Sequence, residues 1–253
     1  MELIKTAIRV GNSAGVLLPK KYLNSQVKVI LIPLNIERDV LDILLKENLL
    51  QYIMGVYLIG SYARGEQDIE SDIDILVITS NVNKRIVREK YELICISKKE
   101  LEEQLSKNAL PILPMIKEAK TIINKELIKK YINSPLTKKN LEWHIDTTKS
   151  ALKVIEKDLK ISEELKERHT SDGIAYALIL RLRTIYIIEG IRKNKIYTKK
   201  DFLKLIKDIT GSLSAYSGYL RSKANEKIKQ DLPIEEAKML VSYINKGISI
   251  LEK

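Results

Sequence analysis

The chain has 253 residues, enough for one large domain or two to three small ones that each bury a core. Hydrophobic residues at 45% and charged residues at 30% exclude wholesale disorder, and a single cysteine, Cys95, excludes an internal disulfide. Lys and Arg number 44 against 33 Asp and Glu, a net charge of +11 that points to an anionic partner.

The charge is unevenly spread. Residues 1–35 carry five basic residues and one acid, residues 36–137 carry fifteen and sixteen, and residues 138–253 carry twenty-four and sixteen. A near-neutral centre between two basic flanks predicts three units, with joints near Pro33 and at Ser134-Pro135. The two histidines, His144 and His169, leave zinc few of its usual ligands. The first thirty residues mix Lys5, Arg9, Lys20 and Lys21 with apolar residues and do not read as a signal peptide, and no apolar run reaches eighteen residues. A cytoplasmic protein without membrane contact is expected.

In chain order, Leu3–Val10 alternates as a strand, Gly11–Gly15 signals a turn, and Val16–Pro19 resumes an apolar strand. A short turn or helix at Lys20–Leu23 leads to a further strand at Val27–Ile32. A unit of thirty-five residues is too small for an adequate core of its own and needs a partner chain or a neighbouring domain. The stretch IRVGNSAGVLLPKKYL resembles the AbrB/MazE/SpoVT superfamily of swapped-hairpin domains, whose members dimerise and often bind DNA. That resemblance makes Arg9, Asn12, Lys20 and Lys21 candidates for phosphate or base contacts, the alternative being a hairpin used only for dimerisation or docking. A homodimer is the expected assembly.

A helix over Glu37–Leu50 then precedes an apolar strand at Met54–Ile59. Gly60-Ser61-Tyr62-Ala63-Arg64-Gly65 leaves that strand through small residues, and the acidic stretch Glu66–Ser71 returns the chain to Asp72-Ile73-Asp74-Ile75-Leu76-Val77-Ile78. Asp72 and Asp74 alternate at the start of a strand, so their carboxylates lie about 7 Å apart on one face, a spacing that suits hard divalent ions such as magnesium. Gly60 and Ser61 offer backbone N–H groups and a hydroxyl to phosphate oxygens. Together these groups suit nucleotidyl transfer, in which charge develops on the moving phosphate and on pyrophosphate. A third carboxylate is expected on an adjacent strand, and Glu92 is the only acid in the strand-like run Lys90–Ile96. Arg64 could clamp a phosphate or pair with Glu66 or Asp68 to fix the loop. Cys95 alternates with apolar neighbours and reads as a small core residue.

The segment GSYARGEQDIESDIDILV resembles the signature of the polymerase-β-like nucleotidyltransferase superfamily, specifically its small MNT class. The resemblance covers residues 60–77 closely and about 36–126 loosely, including an amphipathic helix at Lys98–Ser106. It implies that Gly60 and Ser61 bind the triphosphate of ATP or another NTP and that Asp72 and Asp74 bind two magnesium ions. Glu92 stands where that family has a third Asp.

From Lys138 the period is helical. Leu141, Ile145, Thr148, Leu152, Ile155 and Leu159 form one apolar seam, Asp172–Ile191 reads as a central helix, and Thr198 with Asp201 opens another. Helices at Ser214–Lys229 and from Pro233 to Leu251 complete a bundle of about five. It broadly resembles the HEPN and kanamycin-nucleotidyltransferase C-terminal helical domains, but no arginine is followed four to six residues later by a histidine, so HEPN ribonuclease activity is not expected. Tyr176, Tyr186, Tyr197, Tyr216 and Tyr219 interleave with Arg181, Arg183, Arg192, Lys193 and Lys195, either as a nucleic-acid surface or as hydroxyl-tipped core residues among solvating charges.

The expected architecture is α+β and multidomain: a β-hairpin domain over 1–35, a mixed-sheet nucleotidyltransferase domain over 36–134 and an antiparallel helical bundle over 135–253. The expected activity moves an NMP, AMP from ATP, to a hydroxyl of a protein, nucleic acid or small molecule, a toxin-like protein being one such partner. The competing expectation is a DNA-binding regulator or antitoxin in which the transferase fold is a sensor.

Overall fold

The computed structural model describes the chain apart from Met1, Glu2, Ile4, Thr6, residues 30–33, Ile69, Glu70, Ile228, Lys253 and the side chain of Arg9. It divides into two compact units, Met1–Ile36 and Glu37–Lys253.

In the first unit, β1 (Ile8–Val10) and β2 (Ser13–Gly15) form an antiparallel hairpin with Val10 opposite Ser13. The two-residue loop is Gly11-Asn12, and Gly11 supplies the positive φ of 60° that such tight turns need. The turn is therefore shorter than the expected Gly11–Gly15, and Ser13–Gly15 is strand. Val16–Pro19 and Val27–Val29 are not strand, and residues 30–32 of the expected Val27–Ile32 strand lie outside the described residues. Their apolar periodicity has no covering layer: Leu17 is 68% exposed and Val27 60%. Lys20–Tyr22 is one turn of 3-10 helix, as the sequence suggests.

All but the first residue of α1 (Ile36–Lys46) belong to the second unit, and the helix ends four residues before the expected Leu50, because Asn48 turns left-handed at φ 57°. The central sheet follows: β3 (Ile53–Ile59), β4 (Ile73–Thr79), β5 (Lys84–Arg88), β6 (Tyr91–Ser97) and β7 (Lys120–Ile123), in the order β5-β6-β4-β3-β7. Only β4 and β6 run parallel; the other neighbours are antiparallel, so the sheet is mixed. β4 is the central strand, and Ile73 and Ile75–Thr79 are all buried, as expected for a strand covered on both faces. Asp74 is the one residue of β4 that reaches partial exposure. Between β3 and β4 lies α2 (Gly60–Arg64), a single helical turn. Three helices complete this part: α3 (Lys98–Lys107), α4 (Leu113–Glu118) and α5 (Lys125–Ile132). Cys95 is buried in β6, and burial pushes its thiol up to about 11, so it is a core residue rather than a nucleophile.

The helical part comprises α6 (Lys138–Glu164), α7 (Asp172–Arg192), α8 (Lys199–Thr210), α9 (Ser214–Lys223) and α10 (Ile234–Leu251), with the short strands β8 (His169–Thr170) and β9 (Leu232–Pro233) paired beside them. The α6 seam is buried at Leu141, Thr148, Leu152, Ile155 and Leu159. α7 is the central helix. It buries Ala175, Leu178, Ile179, Leu182, Ile185, Ile188 and Ile191, and packs against α6, α9 and α10. Gly218 lets α9 approach: a Cβ there would come within 2.8 Å of Ala175 Cβ and of Asp172 Oδ1. α9 ends at Lys223, short of the expected Lys229, where Asn225 turns left-handed at φ 53°. Thr198 caps α8 by accepting from the Asp201 N–H at 3.0 Å, as the sequence predicts.

The sheet and the bundle share one core cluster. Asn140, 1% exposed, ties them with hydrogen bonds: its Nδ2 donates to Leu105 O at 3.2 Å and Ser106 O at 3.0 Å, which are orphan carbonyls in the last turn of α3. Its Oδ1 accepts from Thr137 N at 2.9 Å and closes the capping box that starts α6. Replacing Asn140 with Leu removes the donor of both carbonyls and leaves that of Leu105 buried without one, and is expected to cost about 2 kcal/mol, a fall in Tm of about 4–8 °C by calorimetry. An unchanged Tm would show that the side chain adds no net stability there.

Candidate active site

The site forms where β3 and β4 end beside β6. β3 closes at Ile59, whose Cα partner is Asp74, and the chain turns at once into α2. Gly60 makes that turn at φ 69°, and a Cβ there would meet Asp74 Oδ2 at 2.1 Å. Only glycine allows the α2 backbone to lie against this carboxylate. On the other side of Asp74, the parallel register places Glu92 directly opposite it. The sequence-expected third carboxylate is thus adjacent to the second, on a neighbouring strand. Asp72 lies just before β4 and is exposed, one residue outside the strand that the sequence assigns to it. The return to β4 is fastened by the Ile73 N–H, which donates to Lys90 O at 2.7 Å.

Asp74 carries the electrostatic strain of this arrangement. Burial first, and then the negative charges of Glu92, Asp72 and Glu118, hold its carboxyl up to about 6, against the opposing pull of Arg64. Glu92 is turned onto Arg85, with Oε1 2.7 Å from Nη2. Val87 is the Cα partner of Glu92, so Arg85, two residues along the edge strand, is its diagonal neighbour on the same face. Among the described residues no three His, Cys, Asp or Glu side chains stand as a ready-made metal cage. The donor chemistry nonetheless fits a hard divalent cation: the carboxylates are oxygen ligands, and Asp74 stands among acids whose crowding a cation would relieve.

The residue that sequence reasoning missed is Glu118, at the end of α4. Its Oε1 accepts from the Gly60 N–H at 2.8 Å and its Oε2 from Arg64 Nη1 at 2.7 Å. Arg64 also donates through Nε to Glu66 Oε2 at 2.9 Å, so of the two partners offered by the sequence it is Glu66, not Asp68, that fixes the loop. Glu66 in turn accepts from the Lys199 N–H at 2.9 Å, which ties the turn to the first residue of α8. The Arg64 guanidinium also lies over the Tyr197 ring, 5.6 Å from its centroid. Glu118 carries little sequence signal: it follows the apolar run Ile112–Ile116 on a six-residue helix, far along the chain from the turn it holds.

Beside this turn opens a cleft of about 350 Å³, lined by Pro114, Lys117 and Glu118 on one side and by Tyr186, Tyr197 and Asp201 on the other. His144, half-buried elsewhere on α6, bonds through Nε2 to Asn108 Oδ1 at 2.8 Å, and His169 lies exposed in β8; neither joins the site. In the first unit Asn12, Lys20 and Lys21 are exposed, while the side chain of Arg9 lies outside the described residues.

The profile of the family described as "Nucleotidyltransferase domain" matches residues 37–180, more than half of the chain. The chain belongs to the nucleotidyltransferase domain family. It is a nucleotidyltransferase enzyme, and the matched span contains the turn, the three carboxylates and Glu118. Among solved structures, spectinomycin adenyltransferase AAD(9) from Enterococcus faecialis, crystallised with ATP and spectinomycin, is 16% identical, at 84% coverage of this chain and 98% of that one, with a TM-score of 0.44. A nucleotidyltransferase-like protein from Exiguobacterium sibiricum 255-15 is 12% identical, at 85% and 75% coverage, with a TM-score of 0.40. No curated protein matches the nucleotidyltransferase sequence. Among its described residues no helix is long and apolar enough to cross a membrane.

Proposed function

We propose that this nucleotidyltransferase moves a nucleoside monophosphate, AMP from ATP, onto a hydroxyl of its acceptor, with magnesium ions held by Asp72, Asp74 and Glu92. The observation that carries the reading is the direct pairing of Asp74 with Glu92 across two parallel strands, with the Gly60 turn pressed against Asp74. Magnesium bound there would supply Lewis-acid stabilisation of the charge that develops on the transferring phosphate and on pyrophosphate. The chain's own residues do the rest. Ser61, in the first turn of α2, offers its hydroxyl and amide to phosphate oxygens. Arg64, held by Glu66 and Glu118, keeps the turn in shape. Glu92 accepts the proton of the attacking hydroxyl, and Arg85 stabilises the carboxylate that does so.

The cleft between α4 and α7–α8 is the proposed acceptor seat. Its volume suits a small molecule, and its mixture of carboxylates, lysines and tyrosine hydroxyls suits one rich in hydroxyl groups. The test is label transfer from α-labelled ATP, with magnesium, to a panel of hydroxylated acceptors, together with release of pyrophosphate. The wild-type enzyme should transfer label; EDTA and the Asp72→Ala/Asp74→Ala double substitution should abolish transfer. Equal transfer by wild type and double variant would sink the reading.

A further inference from the structure

We infer that the outer face of α6 is an interface for a second copy of this chain, the two α6 helices pairing antiparallel about a two-fold axis. The inference stands apart from the reaction proposed above and from the N-terminal hairpin.

The first observation is an apolar stripe. Trp143, the single tryptophan of the chain, is 61% exposed, and Val154, Ile161 and the C-cap residue Leu165 are exposed as well. Their spacings of eleven, seven and four residues hold them within about 40° of one another round the helix. The buried seam of Leu141, Leu152, Ile155 and Leu159 lies on the other side, against the bundle. Lone exposed apolar residues are ordinary on a surface, whereas four large ones in line mark an interaction face. The Trp143 ring is also held in place. It stands edge-on to His144, with centroids 4.9 Å apart, and His144 is fixed in turn by Asn108 at 2.8 Å. A tryptophan positioned in advance loses little freedom on binding and makes a strong anchor.

The second observation is the charge beside the stripe. Toward α10 the charges of α6 are used: Lys149 pairs with Glu252, Lys238 with Glu163, and Asn245 donates to Glu156 at 3.1 Å. On the opposite flank of the stripe's outer edge, Lys139, Asp146, Lys157, Lys160 and Glu164 are exposed and form no ion pair among the described residues. These charges complement one another only when the helix is reversed against itself. Two copies related by a two-fold axis across their helices bring the same flank onto the same flank, running the other way. Seating Trp143 against Ile161 of the second copy then sets Val154 opposite the small Ser150, places Asp146 between Lys157 and Lys160, and brings Glu164 to Lys139. Each match is good to about 3 Å along the helix at a rise of about 1.5 Å per residue. A parallel pairing would instead set every charge against its own copy. The self-complementarity of size and charge is what selects a second copy as the occupant.

The test reads mass and Trp143 together, on the full chain. In sedimentation equilibrium the wild type should have twice the mass of one chain at micromolar concentration. On dilution to nanomolar the mass should halve while Trp143 emission shifts to the red and its quenching by iodide rises in step. Val154→Glu, on an exposed position, should raise the dimer Kd about a hundred-fold or more, with a Tm matching that of diluted wild type. Asp146→Lys alone, and Lys157→Asp/Lys160→Asp alone, should each weaken the dimer about five- to ten-fold, and combining all three should return the Kd to within about two-fold of wild type. Asp146 and Lys160 stand about 21 Å apart on one helix, so such a rescue requires the reversed second copy. A monomer at every concentration would overturn the inference, as would a dimer indifferent to Val154→Glu. A monomer whose Trp143 is shielded from iodide would overturn it too, because residues of the same chain would then cover the stripe. A dimer broken by Val154→Glu but not rescued by the combined charge exchange would overturn the antiparallel pairing.

Discussion

Asp74→Asn is expected to lower nucleotidyl transfer by about a thousand-fold or more, a loss of about 4 kcal/mol of transition-state stabilisation. The same substitution should leave the metal-free fold at least as stable as wild type at neutral pH. The two outcomes have one cause. Asp74 sits half-buried among Glu92, Asp72 and Glu118, and these neighbours together with burial hold its carboxyl up to about 6. A carboxyl whose folded pKa lies above its unfolded value favours the protonated native state, so its contribution to stability is fully present below about pH 4 and is lost as pH rises through about 6. Asparagine is nearly isosteric and never ionises. The stability gap between variant and wild type should therefore be absent near pH 4 and reach its full size above pH 6. Magnesium should narrow it again by stabilising wild type alone. Thermal melts from pH 4 to 8, with and without magnesium, measure all of this; a variant that melts well below wild type in metal-free buffer at pH 7.5 would show that the carboxylate is a structural element and not a strained ligand.

Asp172→Ala should destabilise the helical part more than any surface change. The Asp172 side chain is fully buried at the start of α7, and its Oδ2 accepts from Arg221 Nε at 2.9 Å and from the Lys229 N–H at 2.9 Å. Its Oδ1 accepts from Arg221 Nη2 at 2.7 Å, and its own N–H donates to Lys229 O at 3.0 Å. One carboxylate thus fastens α7 to the end of α9 and to the loop beyond it, and it sits at the helix end where a negative charge is favourable. Alanine removes every one of these acceptors, at a cost of about 3 kcal/mol and a fall in Tm of about 6–12 °C. The hydrogen bonds from Arg221, followed by the Lys229 N–H, hold this carboxyl below the usual carboxylate range despite burial. Its stabilisation is therefore present above about pH 4 and is lost as pH falls through the folded value, so the acid limb of the variant's stability curve should be flatter than that of wild type. Urea melts at pH 3.5 and 7 decide the matter: a difference of the same size at both pH values would contradict the ion pair as its source.

Much of this was legible from spacing alone. The α6 seam, the Thr198 cap and the apolar run of β4 each follow from a period that a buried face imposes, and each stands where the sequence puts it. The position of Glu92 beside Asp74 is legible because strands order their residues: it is the sole acid of β6, and the parallel register sets it opposite Asp74. Other features are set by partners distant in sequence. The edge strand β5, Lys84-Arg85-Ile86-Val87-Arg88, buries Ile86 and exposes its charges, and so reads as loop until β6 is known. The Gly60 amide reads as a phosphate donor, but in the folded chain it is bonded to Glu118, an acid from a helix fifty-eight residues on. In the N-terminal unit the apolar alternation at Val16–Pro19 and Val27–Val29 overstated strand, because periodicity signals strand only where a second layer covers it.

The bond from the Lys199 N–H to Glu66 has an evolutionary consequence. It joins a loop of the catalytic sheet to the first turn of a helix 133 residues later, and Arg64 reaches Tyr197 beside it. A recombinant that grafted another helical half after residue 134 would lose Glu66's partner, Arg64's aromatic platform and the Asn140 link at once. With the cleft as the proposed acceptor seat, new acceptor preferences should therefore arise by point substitution along it, with the two halves inherited as one block.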